Sequence, residues 1–192
     1  MARTAAWPAA GDALLVVDVQ KDFLPGGALA VARAGEVVAP LNAAIRAFER
    51  AGRPVYASRD WHPANHCSFK ARGGPWPPHC VAGTRGAEFA DGLALPRSAG
   101  IVSKADTPDV DAYSAFGGND LAAQLRRQGV RRVVIGGLTT DYCVVNSVLD
   151  ARAAGFEVVV LADAIRAVNV QPEDGARALE AMRKAGARLE PA

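Results

Sequence analysis

The sequence lacks long hydrophobic runs, an excess of charge of one sign, and the glycine and proline content of a low-complexity chain. Its 192 residues carry 22 basic and 20 acidic side chains, so we expect neither nucleic acid nor a membrane surface as a partner. The first apolar run, residues 13–17, is too short for a signal-sequence core or a membrane span, which predicts a cytoplasmic location. With 19 glycines and 12 prolines, disordered and fibrous classes are excluded. The length predicts one domain over residues 1–192.

Histidine and cysteine are also scarce, at three residues each. Three cysteines cannot all form disulfides, so we expect reduced thiols that act as metal ligands, nucleophiles or packed apolar side chains. All but one of these six residues fall between positions 62 and 80, namely His62, His66, Cys67, His79 and Cys80. Cys143 stands alone.

Buried strands alternate with amphipathic helices along the chain. Continuous apolar runs at 14–17 and 158–161 are typical of strands covered on both faces, a further strand is predicted at 130–135, and residues 37–48 have helical spacing. Further strands are predicted at 54–58, 101–103 and 187–189, and further helices at about 121–129, 141–154 and 172–184. This alternation predicts an α/β fold, a three-layer α/β/α sandwich with a mostly parallel central sheet.

One segment, at about 61–97, has no sustained period and is rich in proline, glycine and aromatic residues. A long irregular excursion in a compact domain is usually functional. We therefore predict a functional loop inserted into the domain, and it contains the clustered histidines.

Four polar residues lie at or just beyond the predicted carboxyl ends of strands. Asp18, Asp60 and Lys104 each end a strand, and Cys143 lies in the turn that leaves a fourth strand to start a helix. Taken singly, each residue also fits a structural role: an Asp that caps a helix, a Lys on the surface or a Cys packed in the core. Because ligands bind beyond the carboxyl ends of parallel strands, their joint placement favours a site.

Cys143 has the sequence context of a nucleophile. A loop of small and polar residues, 136–142, precedes it, and the amides at a helix start favour a thiolate and can stabilise an oxyanion. No histidine lies near the strand ends that carry Asp18, Lys104 or Cys143, so Asp18 is the candidate base. Lys104 would lower the pKa of the thiol and orient the carboxylate. Asp18, Lys104 and Cys143 therefore form a candidate catalytic set.

Asp60, His62 and His79 form a candidate metal site. Asp60 and His62 are two apart in extended chain and project to the same side, and His79 can return from the loop. One carboxylate and two imidazoles leave open positions on a divalent ion, and suit zinc, iron or manganese. Two alternatives stay open: a structural zinc built from Cys67, Cys80 and two histidines, although no C-x-x-C is present, or histidines that are merely packed or solvated.

Five motifs carry a resemblance to a known family. They are LVVDVQKDF at 15–23, RDWHP at 59–63, WPPHC at 76–80, DAYSAF at 111–116 and GLTTDYCV at 137–144. In this order they resemble the nicotinamidases, within the isochorismatase-like cysteine hydrolases. The WPPHC and metal-ligand motifs favour this branch over the other branches of the superfamily.

The resemblance implies a role for each matching residue. It implies a catalytic triad of Asp18, Lys104 and Cys143, and metal ligands Asp60, His62 and His79. It implies a cis peptide between Leu138 and Thr139 that turns backbone amides into an oxyanion hole. Whether His66 is a further ligand, and what Tyr142 does beside the nucleophile, stay open. The pocket-lining positions would be Phe23, Leu29, Trp76, Tyr113 and Leu138.

The resemblance also implies an activity. It predicts hydrolysis of nicotinamide to nicotinate and ammonia in NAD salvage, with pyrazinamide as a second substrate, one divalent metal ion, foremost zinc, and a homo-oligomer. An alternative within the superfamily is a cysteine amidase for another small amide or ureido compound. A third hypothesis is a non-catalytic α/β binding module with a structural zinc.

Overall fold

The computed structural model describes residues 7–192, so the first six residues of the predicted domain lie outside it. Within residues 7–192 there are six strands: β1 Asp12–Val17, β2 Val55–Asp60, β3 Gly100–Lys104, β4 Arg132–Leu138, β5 Glu157–Arg166 and β6 Arg188–Glu190. The same residues contain four α-helices: α1 Val38–Arg50, α2 Leu121–Arg127, α3 Val145–Ala153 and α4 Asp174–Lys184. None of the helices in the described residues is long and apolar enough to cross a membrane.

The strands form one sheet in the order β3-β2-β1-β4-β5-β6, and each of these neighbouring pairs is parallel. The order reverses at β1, which pairs with β2 on one side and β4 on the other. Such a switch point opens a crevice at the carboxyl ends of the strands. The ends of β1 to β4 therefore meet at one edge, as the sequence predicts.

Strand β1 lies at the centre and shows why its sequence reads as a continuous apolar run. All six of its residues are buried. Leu14 and Val16 belong to the core that contains the buried face of α1, whereas Leu15 and Val17 belong to the core with buried residues of α2, α3 and α4. The predicted three-layer sandwich is confirmed.

Strand β4 differs from its prediction. It begins at Arg132 rather than at residue 130, and it continues through two glycines to Leu138 instead of ending before them. Gly137 has a φ of 130°, and a Cβ there would lie 2.0 Å from the backbone oxygen of Val17. The glycine lets β4 run against β1 to its end, because no side chain fits between the two backbones.

Candidate active site

Asp18 begins the site, one residue beyond the end of β1. The turn that leaves the strand gives it a φ of 47°, and its side chain is fully buried. Ser58 Oγ donates a hydrogen bond of 2.6 Å to Asp18 Oδ1, and Lys104 Nζ lies 2.9 Å from Oδ2. Burial raises the pKa of Asp18, and Lys104 opposes this.

Lys104, the last residue of β3, is the cation of the site. Its Nζ lies 2.9 Å from Asp18 Oδ2, 2.5 Å from Asp60 Oδ1 and 3.4 Å from Cys143 Sγ. The side chain has no exposed surface. Burial alone would lower the pKa of Lys104, but the two carboxylates outweigh it and hold the pKa well above its usual value. The lysine therefore stays charged and links the three other groups.

Cys143 lies in one turn of π-helix, Thr140–Val144, that leads directly into α3. The sulfur is within 4.8 Å of a carboxylate oxygen of Asp18. Burial raises the pKa of Cys143 well above its usual value, Lys104 opposes this and Asp18 adds to it. Lys104 acts in the predicted direction, yet burial outweighs it, so the resting group is a thiol that needs a base.

Asp60, His62 and His79 come together beside this cluster. Their candidate ligand atoms all lie within 4.8 Å of one another. His62 Nδ1 donates to the Ala105 carbonyl at 3.1 Å, and His79 Nδ1 donates to the Pro77 carbonyl at 2.8 Å. These bonds fix the tautomer that leaves Nε2 of each ring free, as in metal-binding histidines.

The protonation of this group fits a divalent metal ion. His62 Nε2 lies 3.8 Å from Asp60 Oδ2, and both side chains are buried. Burial lowers the pKa of His62 to about 4, so the imidazole is neutral at neutral pH and its lone pair is available. Two imidazoles and a carboxylate suit zinc and also iron or manganese.

His66 lies apart from this group. Its Nδ1 is 2.7 Å from Ser68 Oγ, and its Nε2 is 3.1 Å from the carbonyl of Val110. The ring stacks on His62 with centroids 4.3 Å apart. Both nitrogens have protein partners and the ring packs against that of His62, and His66 does not belong to the group of candidate ligand atoms found in residues 7–192.

The described residues do not bring Cys67 and Cys80 together with histidines as the ligands of a structural zinc. All three cysteines are free, and neither Cys67 nor Cys80 belongs to a group of candidate ligands in residues 7–192. Cys80 is fully buried in the hydrophobic core around α1, where burial raises the pKa of its thiol. Thiols of this kind are packed and inert.

One pocket connects the two clusters. Cys143 and Thr139 lie on its wall with Asp60 and His79. The side chain of Leu138 is fully buried in the core and does not line the pocket, which corrects its predicted position, although its peptide bond to Thr139 is cis as expected. The remaining wall residues are Phe23, Leu29, Trp76, Tyr113, Tyr142 and Val168.

Aromatic rings form one side of the pocket. Trp76 Nε1 donates to the Tyr113 hydroxyl at 3.2 Å. Tyr142 packs edge-on to Trp76 and tilted against Tyr113, with centroid distances of 5.1 and 5.4 Å. Tyr142, whose role the sequence left open, is thus a wall residue held by two other rings.

Val168 is a wall residue that the sequence gave no reason to select. It follows β5, outside all five motifs. The carboxylate of Asp141 accepts hydrogen bonds from the backbone amides of Val168 at 2.9 Å and Asn169 at 2.7 Å. Asp141 thereby ties the segment after β5 to the turn that carries Cys143, and brings Val168 to the pocket.

A buried cysteine next to a carboxylate and an ammonium, at the carboxyl edge of a parallel sheet, defines the class of cysteine-dependent hydrolases. The isochorismatase domain model matches residues 12–191, and the chain belongs to this family. The nicotinamidase of Escherichia coli is 40% identical over 92% of this chain and 93% of its own length. The resemblance drawn from the motifs is confirmed.

Solved structures agree with this assignment. The pyrazinamidase of Pyrococcus horikoshii in complex with zinc is 50% identical, with a TM-score of 0.91 over 95% of this chain and 99% of that one. PnC1 from L. infantum in complex with nicotinate is 38% identical, with a TM-score of 0.87 over 94% and 92% of the two chains.

Proposed function

We propose that the chain is a metal-dependent nicotinamidase that hydrolyses nicotinamide to nicotinate and ammonia and supplies NAD salvage. The observation that carries this function is that one pocket has Cys143 on its wall together with two candidate metal ligands, Asp60 and His79. The similarity to nicotinamidases over most of the chain supports it. Zinc is the proposed ion, because the similar pyrazinamidase holds it.

Asp18 starts the reaction by accepting the proton of Cys143. Ser58 donates to Oδ1, whereas Oδ2 lies 2.9 Å from Lys104 Nζ and accepts no hydrogen bond from the described residues, so we assign this proton to Oδ2. The sulfur then bonds to the amide carbon, and the backbone amides of Thr139 and Cys143 stabilise the oxyanion. Asp18 returns the proton to the amide nitrogen, the C–N bond breaks, and ammonia leaves a thioester on Cys143.

The second half of the reaction uses the same groups in reverse. Asp18 takes a proton from a water molecule, whose oxygen attacks the thioester carbon. The C–S bond breaks, the proton passes from Asp18 to the sulfur of Cys143, and the new carboxylic acid loses its own proton to solvent and leaves as nicotinate. Lys104 keeps its charge throughout and compensates the negative charge that moves between Asp18 and Cys143.

Asp60, His62 and His79 would hold the metal ion. A divalent ion there supplies a Lewis acid for the ring nitrogen of nicotinamide, directly or through water, and so orients the carboxamide. Phe23 and Trp76, which both line the pocket, would stack on the flat ring.

The remaining proposals concern the whole protein. We propose one catalytic domain with a metal-binding insertion at about 61–97, in a cytoplasmic homo-oligomer with a small-molecule substrate and no nucleic-acid partner. The near-neutral balance of 22 basic and 20 acidic residues argues against a nucleic-acid partner, and the free thiols support the cytoplasmic location. Size-exclusion chromatography with light scattering tests the oligomer.

An ammonia-release assay tests the function. Zinc-loaded protein should release ammonia from nicotinamide and from pyrazinamide, and a chelator should stop it. The variants His62→Ala and His79→Ala should lose stoichiometric metal and activity together. Full activity in metal-free protein would instead favour an amidase for another small amide or ureido substrate.

A further inference from the structure

Gln20 follows the end of β1 and is fully buried. Its side-chain amide bonds to both backbone groups of one residue: Oε1 accepts from Asp60 N at 2.8 Å, and Nε2 donates to Asp60 O at 2.8 Å. Nε2 also donates to the carbonyl of Ala87 at 2.9 Å. One buried side chain therefore joins the end of β2 to the loop of residues 61–97.

The strand lengths explain why an amide is needed here. β1 pairs with β2 only up to Val17 and Ser58, and Asp18 N donates the last bond of this ladder to Ser58 O at 3.1 Å. β2 continues two residues further, to Asp60, with no strand on that side. The Gln20 amide takes the place of the missing peptide unit, because it offers one donor and one acceptor.

The position of Asp60 matters because its two carboxylate oxygens face different partners. Oδ1 lies 2.5 Å from Lys104 Nζ, and Oδ2 lies 3.8 Å from His62 Nε2. A tilt of the Asp60 backbone would change both distances. We propose that Gln20 is a positioning residue that holds Asp60 in ligand geometry, an inference that rests on the proposed metal site.

Asn42 provides a matched control. Its Nδ2 donates to the carbonyl of Gly92 at 2.8 Å, and its Oδ1 accepts from Ala94 N at 2.8 Å. It thus makes the same kind of amide bridge to the same loop, from α1, and it does not line the pocket. The bonds of Asn42 are exposed and those of Gln20 are buried, so the comparison concerns zinc affinity: if Gln20 only stabilised the loop, loss of either bridge would affect zinc affinity alike.

The test is the zinc affinity of the folded protein, measured by competition with a chromogenic chelator. Gln20→Met keeps the side-chain length and removes the amide, and Asn42→Leu does the same at the control position. Partners that orient metal ligands contribute about 10–100-fold to affinity. We expect Gln20→Met to bind zinc more weakly by about that factor, and Asn42→Leu to keep the wild-type affinity while its melting temperature falls.

Wild-type affinity in Gln20→Met, or an equal loss in both variants, would overturn the positioning role and leave the proposed function intact. Wild-type protein that binds no zinc would overturn both. Should Gln20→Met fail to fold, NMR of the wild-type side-chain amides decides. Zinc should shift the Gln20 signals and leave those of Asn42 in place, and unmoved Gln20 signals would contradict the role.

Discussion

At the scale of single residues, the site consists of buried acidic groups whose charge is compensated by one buried ammonium group. Lys104 faces two carboxylates and a thiol, and none of its side chain is exposed. The pKa of Asp18 is raised and that of Lys104 is raised well above its usual value, so a carboxyl group ready to take a proton lies against a fixed cation. Substitutions at these residues should therefore change the rate of hydrolysis and the free energy of unfolding to different extents.

Asp18→Asn should separate thiol ionisation from catalysis. Asp18 is one of the groups that raise the pKa of Cys143, and removing a negative neighbour favours the thiolate, so the pKa falls. Cys143 should react with iodoacetamide at lower pH than in the wild type, with half-buried Cys67 as the internal reference. Hydrolysis should fall about 10²–10⁴-fold, because the base is lost. An unchanged alkylation profile would contradict this.

Lys104→Met should destabilise the fold. It leaves two buried carboxylates without their cation, and breaking a buried ion pair costs about 3–5 kcal/mol. Urea denaturation measures the loss. The double variant Lys104→Met/Asp18→Asn should recover part of it, because one of the orphaned charges is gone. Wild-type stability of Lys104→Met would show that Lys104 does not compensate these carboxylates.

At the scale of secondary-structure elements, the pocket depends on links between segments far apart in sequence. The carboxyl ends of β1, β2 and β3 could be predicted closely, because strand patterns that end at or near Asp18, Asp60 and Lys104 are local. The links could not. His66 Nε2 lies 3.1 Å from the carbonyl of Val110, 44 residues away, and this contact is visible only in the folded chain.

The same reason applies to Gln20, Asp141 and Val168. The sequence does not show that the Gln20 amide makes the hydrogen bonds that a neighbouring strand would make to Asp60. Nor does it show that Asp141 holds Val168 at the pocket. The glycines in β4 also misled prediction, because they are read as a strand end when the neighbouring backbone is unknown. The sequence thus predicts the reacting groups, and tertiary contacts determine what holds them.

Asp141→Asn should alter substrate binding more than turnover. The carboxylate accepts two backbone hydrogen bonds that hold Val168 at the pocket, and bonds to a charged acceptor are worth about 1.5–3 kcal/mol each. We expect KM for nicotinamide to rise at least about tenfold with a smaller change in kcat. Steady-state kinetics measure both, with Asp174→Asn as a control that loses a bond to Gln171 N outside the pocket. Unchanged KM would contradict the link.

At the scale of the whole molecule, the candidate metal ligands are not part of the apolar cores that stabilise the fold. Among the described residues, two apolar cores, one on each face of the sheet, contain buried apolar residues from all four α-helices. The loop of residues 61–97 adds Cys80, Ala87 and Ala90 to one core and brings two of the three candidate ligands, His62 and His79. The fold should therefore not depend on the ion.

Removal of the metal should abolish activity and leave the fold in place. A chelator is expected to stop ammonia release with no change in far-UV circular dichroism and only a modest fall in melting temperature, because an open site adds binding energy without building the core. Unfolding on chelation would instead favour the binding module with a structural zinc.

The most direct test of the account is whether nicotinamide acylates Cys143. Rapid acid quench during turnover, followed by peptide mass spectrometry, should find a nicotinoyl group on the peptide that contains Cys143 and on neither of the peptides with Cys67 or Cys80. The Cys143→Ala variant should form no adduct and release no ammonia. Ammonia release that persists in Cys143→Ala, or an acyl group on another residue, would contradict the thioester mechanism.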